Sequence, residues 1–316
     1  MPVTLPDNLP AIELLKKENI FVMSQLRASS QDIRPLKVVV LNLMPMKIAT
    51  ETDLVRLLSN TPLQIDLSLV KLSTHQSKHT PEEHMLTFYK EFDEIKKENY
   101  DGMIITGAPV EHLNYEDVNY WNELSEIFDW ARKHVTSTFY ICWAAQAALY
   151  RFYGIPKHNL PEKMFGVFKH TINDRNYPLF RGFDDEFYAP HSRHTEIRKE
   201  DIEKHPELKL LSESEEAGVY IVIGRGGREF YVTGHSEYSL YTLHNEYVRD
   251  KEKGLDIVMP KHYYKHDDPD QKPISRWTGH GNLLFNNWIN YYLYQETPYN
   301  LSEVEKMDSI KTLDNK

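Results

Sequence analysis

The run Leu36-Lys37-Val38-Val39-Val40-Leu41-Asn42-Leu43 is apolar almost without a break, and it constrains the fold more than any other stretch of the chain. A strand with one wet face alternates apolar and polar residues. A strand covered on both faces need not, so this run predicts a strand in a sheet sandwiched between helices. The pattern then repeats. A helix is expected over Thr50 to Leu58, stopped before Asn60-Thr61-Pro62, and a strand over Ile65 to Leu69. A helix over Pro81 to Lys97 follows, with Pro81 at its first position and Thr80 as its cap. Gly102 to Thr106 is the third strand, Asp117 to His134 a long helix, and Ser137 to Ile141 the fourth strand. Such alternation implies an α/β fold: a mostly parallel sheet flanked by helices, with ligands at the carboxyl ends of its strands. After residue 160 the chain becomes richer in strands, with antiparallel pairing expected through to His235. There, Val219 to Ile223 and Glu229 to Thr233 flank Gly224-Arg225-Gly226-Gly227-Arg228 as a β-hairpin. Helices over Ser239 to Asp250 and Asn282 to Tyr294 close the fold. Residues 1–35 read as a peripheral extension with a short helix at Ala11 to Lys17, residues 36–300 as a single α/β domain, and residues 301–316 as a polar tail expected to fray.

Three motifs fall at strand ends: Met44-Pro45-Met46-Lys47, Gly107-Ala108-Pro109-Val110-Glu111, and Cys142. Cys142 is the only cysteine in 316 residues. It follows a buried strand and runs without loop residues into the alanine-rich helix start Trp143-Ala144-Ala145-Gln146. A thiol on such a turn projects into a cleft beside the helix's free N–H groups, which favour thiolate. The serine of the hydrolase nucleophile elbow occupies the same kind of turn. A lone cysteine is otherwise most often an inert buried one. The second strand of the hairpin runs into Gly234-His235-Ser236-Glu237-Tyr238. In an extended chain His235 and Glu237 point to one side. A histidine that deprotonates a thiol needs a carboxylate to fix its tautomer. Their direct contact would require a bend, which Gly234 could permit. By itself the pair could equally be a surface His-x-Glu.

Composition narrows the function. Hydrophobic residues make 41% and charged residues 27%, ordinary for a globular protein. A net charge of -10 argues against nucleic acid as the ligand. One cysteine excludes an internal disulfide framework and fits a reducing compartment, so a cytoplasmic location is expected. No signal peptide and no membrane-spanning run are read from the sequence. His191 with His194, or His262 with His266 and Asp267-Asp268, have spacings that could bind a metal, but no His-Glu-x-x-His helix is present. No metal and no tightly bound cofactor are expected. Gly224-Arg225-Gly226-Gly227 lacks the Lys-Ser/Thr of a phosphate loop.

Taken together, the segments Asn42-Leu43-Met44-Pro45, Arg56-Leu57-Leu58-Ser59, Thr106-Gly107-Ala108-Pro109, Cys142-Trp143-Ala144, Tyr153-Gly154-Ile155-Pro156-Lys157, Ala189-Pro190-His191-Ser192-Arg193, Val232-Thr233-Gly234-His235-Ser236-Glu237-Tyr238 and His280-Gly281-Asn282-Leu283 resemble the homoserine O-acyltransferases of methionine biosynthesis. That family shares the class I glutamine amidotransferase fold, a flavodoxin-like three-layer arrangement, and the resemblance covers essentially residues 1–300. Against the broader amidotransferase pattern, Tyr140 and Ala144 stand where glycines usually flank the cysteine turn, and Ser236 replaces a proline. These departures count against glutaminase activity.

The resemblance implies that Cys142 attacks an acyl-coenzyme A thioester and passes the acyl group to homoserine, with His235 as base and Glu237 orienting it. Oxyanion donors would be the Trp143 backbone N–H and Lys47. It places Arg249 at homoserine's carboxylate, and Lys163 and Ser192 among the substrate contacts; the residues alone would single out neither Arg249 nor Lys163. Members that use succinyl-coenzyme A carry glycine at the position of Glu111. A glutamate there would fill the space of a longer acyl chain and oppose its terminal carboxylate. Two like charges about 4 Å apart repel by roughly 4 kcal/mol in a partly buried site, roughly a thousandfold in rate. Acetyl transfer from acetyl-coenzyme A as co-substrate is therefore expected. Succinyl transfer is the alternative, and a glutamine amidotransferase or cysteine hydrolase a more distant one. The family also implies a homodimer.

Overall fold

The computed structural model describes residues 3–5, 9–17, 23–24, 34–74 and 80–307. Among them twelve strands join in one sheet: β1 (Val3–Leu5), β2 (Met23–Ser24), β3 (Leu36–Leu41), β4 (Ile65–Lys71), β5 (Tyr89–Glu91), β6 (Tyr100–Ile105), β7 (Val135–Ile141), β8 (His158–Ile172), β9 (Glu186–Glu196), β10 (Leu208–Ser214), β11 (Gly218–Gly224) and β12 (Glu229–Val232). The order across the sheet is β2-β1-β4-β3-β6-β7-β12-β11-β10-β8-β9, with β5 beside β4. From β2 to β12 every neighbouring pair is parallel, and from β12 to β9 every pair is antiparallel.

The apolar run that opens the sequence argument behaves as expected. Val38 and Val40 enter one core and Val39 and Leu41 the other, so β3 is covered on both faces. Helices α1 (Pro10–Lys17), α2 (Lys47–Leu58), α3 (Glu82–Phe88), α4 (Phe92–Ile95), α5 (Trp121–His134), α6 (Trp143–Tyr153), α7 (Lys199–Ile202), α8 (Thr242–Glu252) and α9 (Thr278–Asn287) accompany the sheet. α2 and α9 share the core of Val38, and α5 and α6 that of Val39. The result is the three-layer α/β arrangement expected.

The structure departs from the expected elements in three places. The helix expected over 81–97 breaks into α3, β5 and α4. Tyr89 turns extended because its hydroxyl is buried, donating to Glu51 Oε1 at 2.5 Å and accepting from Asn42 Nδ2 at 2.9 Å. Glu91 then caps α4 with Glu94 in a capping box. Pro81 precedes α3 rather than opening it, and Thr80 turns its hydroxyl to the Pro45 carbonyl. The N-terminal extension is not peripheral throughout, because β1 pairs with β4 and carries β2 at the sheet edge; residues 18–22 and 25–33 lie outside the described ones. Finally, 301–306 form a 3-10 helix that packs on α5 and β7, and Val304 is fully buried. A valine that reaches the core anchors a segment that composition alone marks as tail. Residues 308–316 lie outside the described ones.

Val304→Asp therefore places an unpaired charge in that contact and should lower stability by about 3 kcal/mol. A denaturant midpoint equal to that of the parent would show that the segment contributes nothing to the fold.

Candidate active site

Cys142 follows β7 directly and is the N-cap of α6, with φ 53 and ψ −117. A side chain rarely adopts that backbone region, and it persists only where the surroundings over-determine it. Here they do: Cys142 N–H donates to the Val232 carbonyl at 2.7 Å, and the Cys142 carbonyl accepts from Ala145 N–H at 3.0 Å. The thiol is thereby held at the sheet's carboxyl edge. Trp143 opens the helix, so its N–H has no carbonyl one turn back to accept it. Gly107 leaves that amide open. A Cβ there would stand 3.2 Å from Cys142 Cβ and 3.6 Å from the Trp143 nitrogen.

β12 lies beside β7 with Val232 opposite Ile141, so the residues just beyond both strands meet. Gly234 has no room for a side chain: a Cβ would lie 2.8 Å from Tyr220 and 2.9 Å from His191. His235 N–H donates to the Pro190 carbonyl at 2.8 Å, and Tyr238 N–H closes a turn on the His235 carbonyl at 3.2 Å. That turn supplies the expected bend, and Glu237 Oε1 reaches His235 Nδ1 at 2.6 Å. The Tyr238 ring stacks on the imidazole with centroids 4.1 Å apart. Burial works against a charged imidazole. Cys142 and Glu237, both in hydrogen-bond contact with the ring, outweigh it and hold His235 well above the usual imidazole range.

The triad opens on a cleft of about 300 Å³ that Glu111, Lys163, Ser192 and Arg249 also line. The sequence separates these residues widely and the fold brings them together. Glu246, which the sequence reading missed, ties them: its Oε1 accepts from Lys163 Nζ at 2.5 Å and from Ser192 Oγ at 2.8 Å, and lies 3.9 Å from Arg249. Arg249 Nε also meets Asp250 Oδ1 at 2.6 Å, leaving its side chain 53% exposed at the rim. The signal was available, since residues 246, 249 and 250 share one face of α8. Glu111 accepts from His194 N–H at 2.8 Å. Burial raises its carboxyl above the usual range, opposed by that amide and by the Arg193 charge.

One side chain stands differently from the expectation. Lys47 does not line the cleft. Its ammonium donates to the carbonyls of Asn42, at 2.5 Å, and Met44, at 3.4 Å, so it braces the loop that carries Met44 and Pro45 into the wall. Burial lowers it to about 8, against the pull of Glu51. As an oxyanion donor it would first have to leave both carbonyls. His191 and His194, whose spacing could have served a metal, part company: His191 Nε2 meets His170 at 3.0 Å inside the fold, while the His194 ring stands by His112 at the cleft. Among the described residues no group of three or more His, Cys, Asp or Glu is placed to hold a metal ion.

A family model described as homoserine O-succinyltransferase matches residues 2–299. The chain belongs to this homoserine O-succinyltransferase family. Its relatives include a homoserine O-acetyltransferase of Parabacteroides distasonis, 66% identical over 98% of this chain and 100% of that protein. Another from Bacteroides fragilis is 67% identical over 96% of this chain and all of its own length. Among solved structures, a glutamine amidotransferase from Thermotoga maritima superposes with TM-score 0.51 at 11% identity, covering 83% of this chain and 100% of that one. This last likeness concerns the fold alone, and it agrees with the three-layer architecture expected from the family. The family model and these relatives are thus named for two different acyl groups.

Gly107→Ala tests whether the space over the Trp143 amide matters. A methyl group there should lower turnover by roughly a hundredfold, the scale of losing one oxyanion donor, with the melting temperature little changed. Activity within a factor of about two of the parent would remove that amide from the mechanism.

Proposed function

We propose that this chain transfers the acetyl group of acetyl-coenzyme A to the hydroxyl of L-homoserine, in methionine biosynthesis, through an acyl-enzyme on Cys142. The observation that carries the choice of acyl group is the Glu111 carboxylate, buried in the same cleft as Cys142. A succinyl chain would bring its own carboxylate toward this charge, whereas an acetyl group brings none. The names of the relatives support the same choice.

In the first half-reaction the Cys142 sulfur attacks the thioester carbonyl. The oxyanion gathers at the Trp143 N–H, and collapse breaks the bond to coenzyme A, whose sulfur takes the proton of the His235 imidazolium. His235 is then neutral and faces the acyl-enzyme. In the second half-reaction it takes the proton of homoserine's hydroxyl as that oxygen attacks, and collapse releases Cys142. Glu237 keeps the imidazole in one tautomer and stabilises its charged form. Arg249 at the rim suits homoserine's carboxylate, while Glu246, with Lys163 and Ser192 on it, offers a polar site for the ammonium. The reading carries with it a cytoplasmic location, where an unpaired nucleophilic thiol is safe, and the homodimer that the family resemblance implies. Among the described residues no helix is long and apolar enough to cross a membrane.

The test is release of free coenzyme A with L-homoserine, acetyl and succinyl donors side by side. Acetyl should turn over with ping-pong kinetics and succinyl roughly a thousandfold more slowly. Cys142→Ala should abolish transfer, and Glu111→Gly should raise succinyl use. Preference for succinyl by the parent would refute the Glu111 argument, and no turnover with either donor would leave the amidotransferase reading.

Protonation gives an independent check. The discriminating charge belongs to a carboxyl whose pKa is raised, so it is lost as pH falls toward values where an ordinary glutamate is still ionised. The acetyl-to-succinyl ratio of kcat/KM should therefore shrink on acidification, since the need for His235 as base is common to both donors. A ratio flat with pH would mean that Glu111 discriminates by bulk alone.

A further inference from the structure

The buried run Trp143-Ala144-Ala145-Gln146-Ala147-Ala148-Leu149 contains one polar side chain, and Gln146 is fully buried. An amide in such a place is costly unless both its ends are satisfied. Both are, by a single residue of β9: Gln146 Nε2 donates to the Thr195 carbonyl at 3.3 Å, and Gln146 Oε1 accepts from Thr195 Oγ1 at 2.8 Å. The Thr195 carbonyl also accepts from Arg193 Nη1 at 2.7 Å. Between these two clamped residues stands His194, whose N–H holds the Glu111 carboxylate. Thr195 Oγ1 itself lies 3.5 Å from Glu111 Oε1. Its one proton goes to the nearer acceptor, Gln146, so the His194 amide is the firm anchor. At the other end Gln146 N–H donates to the Cys142 carbonyl at 3.3 Å.

We propose that Gln146 is a positioning residue for acyl-donor choice: by clamping Thr195 to the helix of the nucleophile, it fixes the His194 N–H that aims the Glu111 carboxylate into the acyl end of the cleft. The inference rests on the reading of Glu111 as the residue that selects the acyl donor. It explains why an amide interrupts an alanine helix at this position. Through it, the distance between the attacking sulfur and the repelling carboxylate is set by a helix turn and two hydrogen bonds, not by the loop 106–114 alone.

The experiment compares kcat/KM for acetyl- and succinyl-coenzyme A in the parent, Gln146→Leu, Glu111→Gly and the double variant. Gln146→Leu should lower the acetyl-to-succinyl ratio by roughly tenfold, the scale of a lost buried hydrogen bond. In the Glu111→Gly background it should leave the ratio unchanged, because the group it positions is gone. A purely structural role would lower both rates together and leave the ratio alone, and that result overturns the proposal. So does an equal fall in the ratio with and without Glu111. Should Glu111→Gly itself leave the ratio unaltered, the donor-choice reading fails and this inference with it. If only Gln146→Leu lacks the effect, the donor-choice reading survives. Should Gln146→Leu not fold, Thr195→Val removes the hydroxyl at nearly constant shape and Thr195→Ser restores it. The ratio should fall in the first and recover in the second, and no fall in Thr195→Val overturns the proposal.

Discussion

The site depends on one backbone pairing. β12 lies parallel to β7 in the register that sets Val232 opposite Ile141, and the Val232 carbonyl takes the Cys142 N–H at 2.7 Å. That bond holds Cys142 in its left-handed turn and delivers His235, three residues past Val232, to the same edge of the sheet. A slip of one residue would turn the side chains of β12 to the opposite face and carry His235 away from the thiol. The antiparallel pairing of β11 with β12 defends the register from the other side, since Ile221 must face Val232. The hairpin is thus the part of the sheet that makes a triad out of residues 93 positions apart.

Charge within the cleft is arranged in the same economical way. His235 stands between a sulfur and a carboxylate, and the protonated ring is favoured even though it is buried. Glu246 gathers Lys163 and Ser192 while Asp250 takes Arg249, so these four charged groups stay paired before any substrate arrives. A zwitterionic acceptor would exchange these contacts for its own, and the desolvation of its two charges would be offset by groups already aligned. Arg193 is a different case: it is fully buried and its guanidinium is met by the carbonyls of Thr195 and Ala217 and by His191. Its charge is therefore felt at Glu111 without being neutralised by a close carboxylate partner among the described residues.

What the sequence made legible follows from local physics. Strands buried on both faces read as unbroken apolar runs, so the parallel half of the sheet and the turn at Cys142 could be placed from residues 36–43 and 137–146. The link between His235 and Glu237 was legible as a possibility, and the turn that closes it needed Gly234 packed against Tyr220 and His191. The direction of Lys47 was not legible, because where a long side chain points depends on which carbonyls the loop before it presents, a matter no spacing reveals. The broken helix at Tyr89 has the same origin, a buried hydroxyl claimed by Glu51 and Asn42 across the fold. Gln146 escaped because its partner lies on another element, and Glu246, legible beside Arg249 and Asp250 on one helix face, shows its bonds to Lys163 and Ser192 only in the fold. An amide in an alanine run is an anomaly in sequence, and only the structure says which strand it satisfies.

Discrimination by like charge, as proposed for this chain, would place opposing demands on Glu111. To repel a succinyl carboxylate strongly it must sit where water does not screen it, and that same burial favours its neutral form, which repels nothing. The two demands are reconciled only if something stabilises the carboxylate without neutralising its field toward the acyl group. A backbone N–H does this well: the His194 amide that holds the Glu111 carboxylate contributes a dipole and no net charge. A lysine or arginine paired in its place would secure ionisation but cancel most of the repulsion, and would itself attract a succinyl carboxylate. On the proposed reading, selectivity for the uncharged acyl group calls for a buried acid held at close range by a dipole, with the Arg193 charge felt from further off. If Glu111 selects the donor as proposed, the segment 193–195 that holds it has to be placed as firmly as the triad.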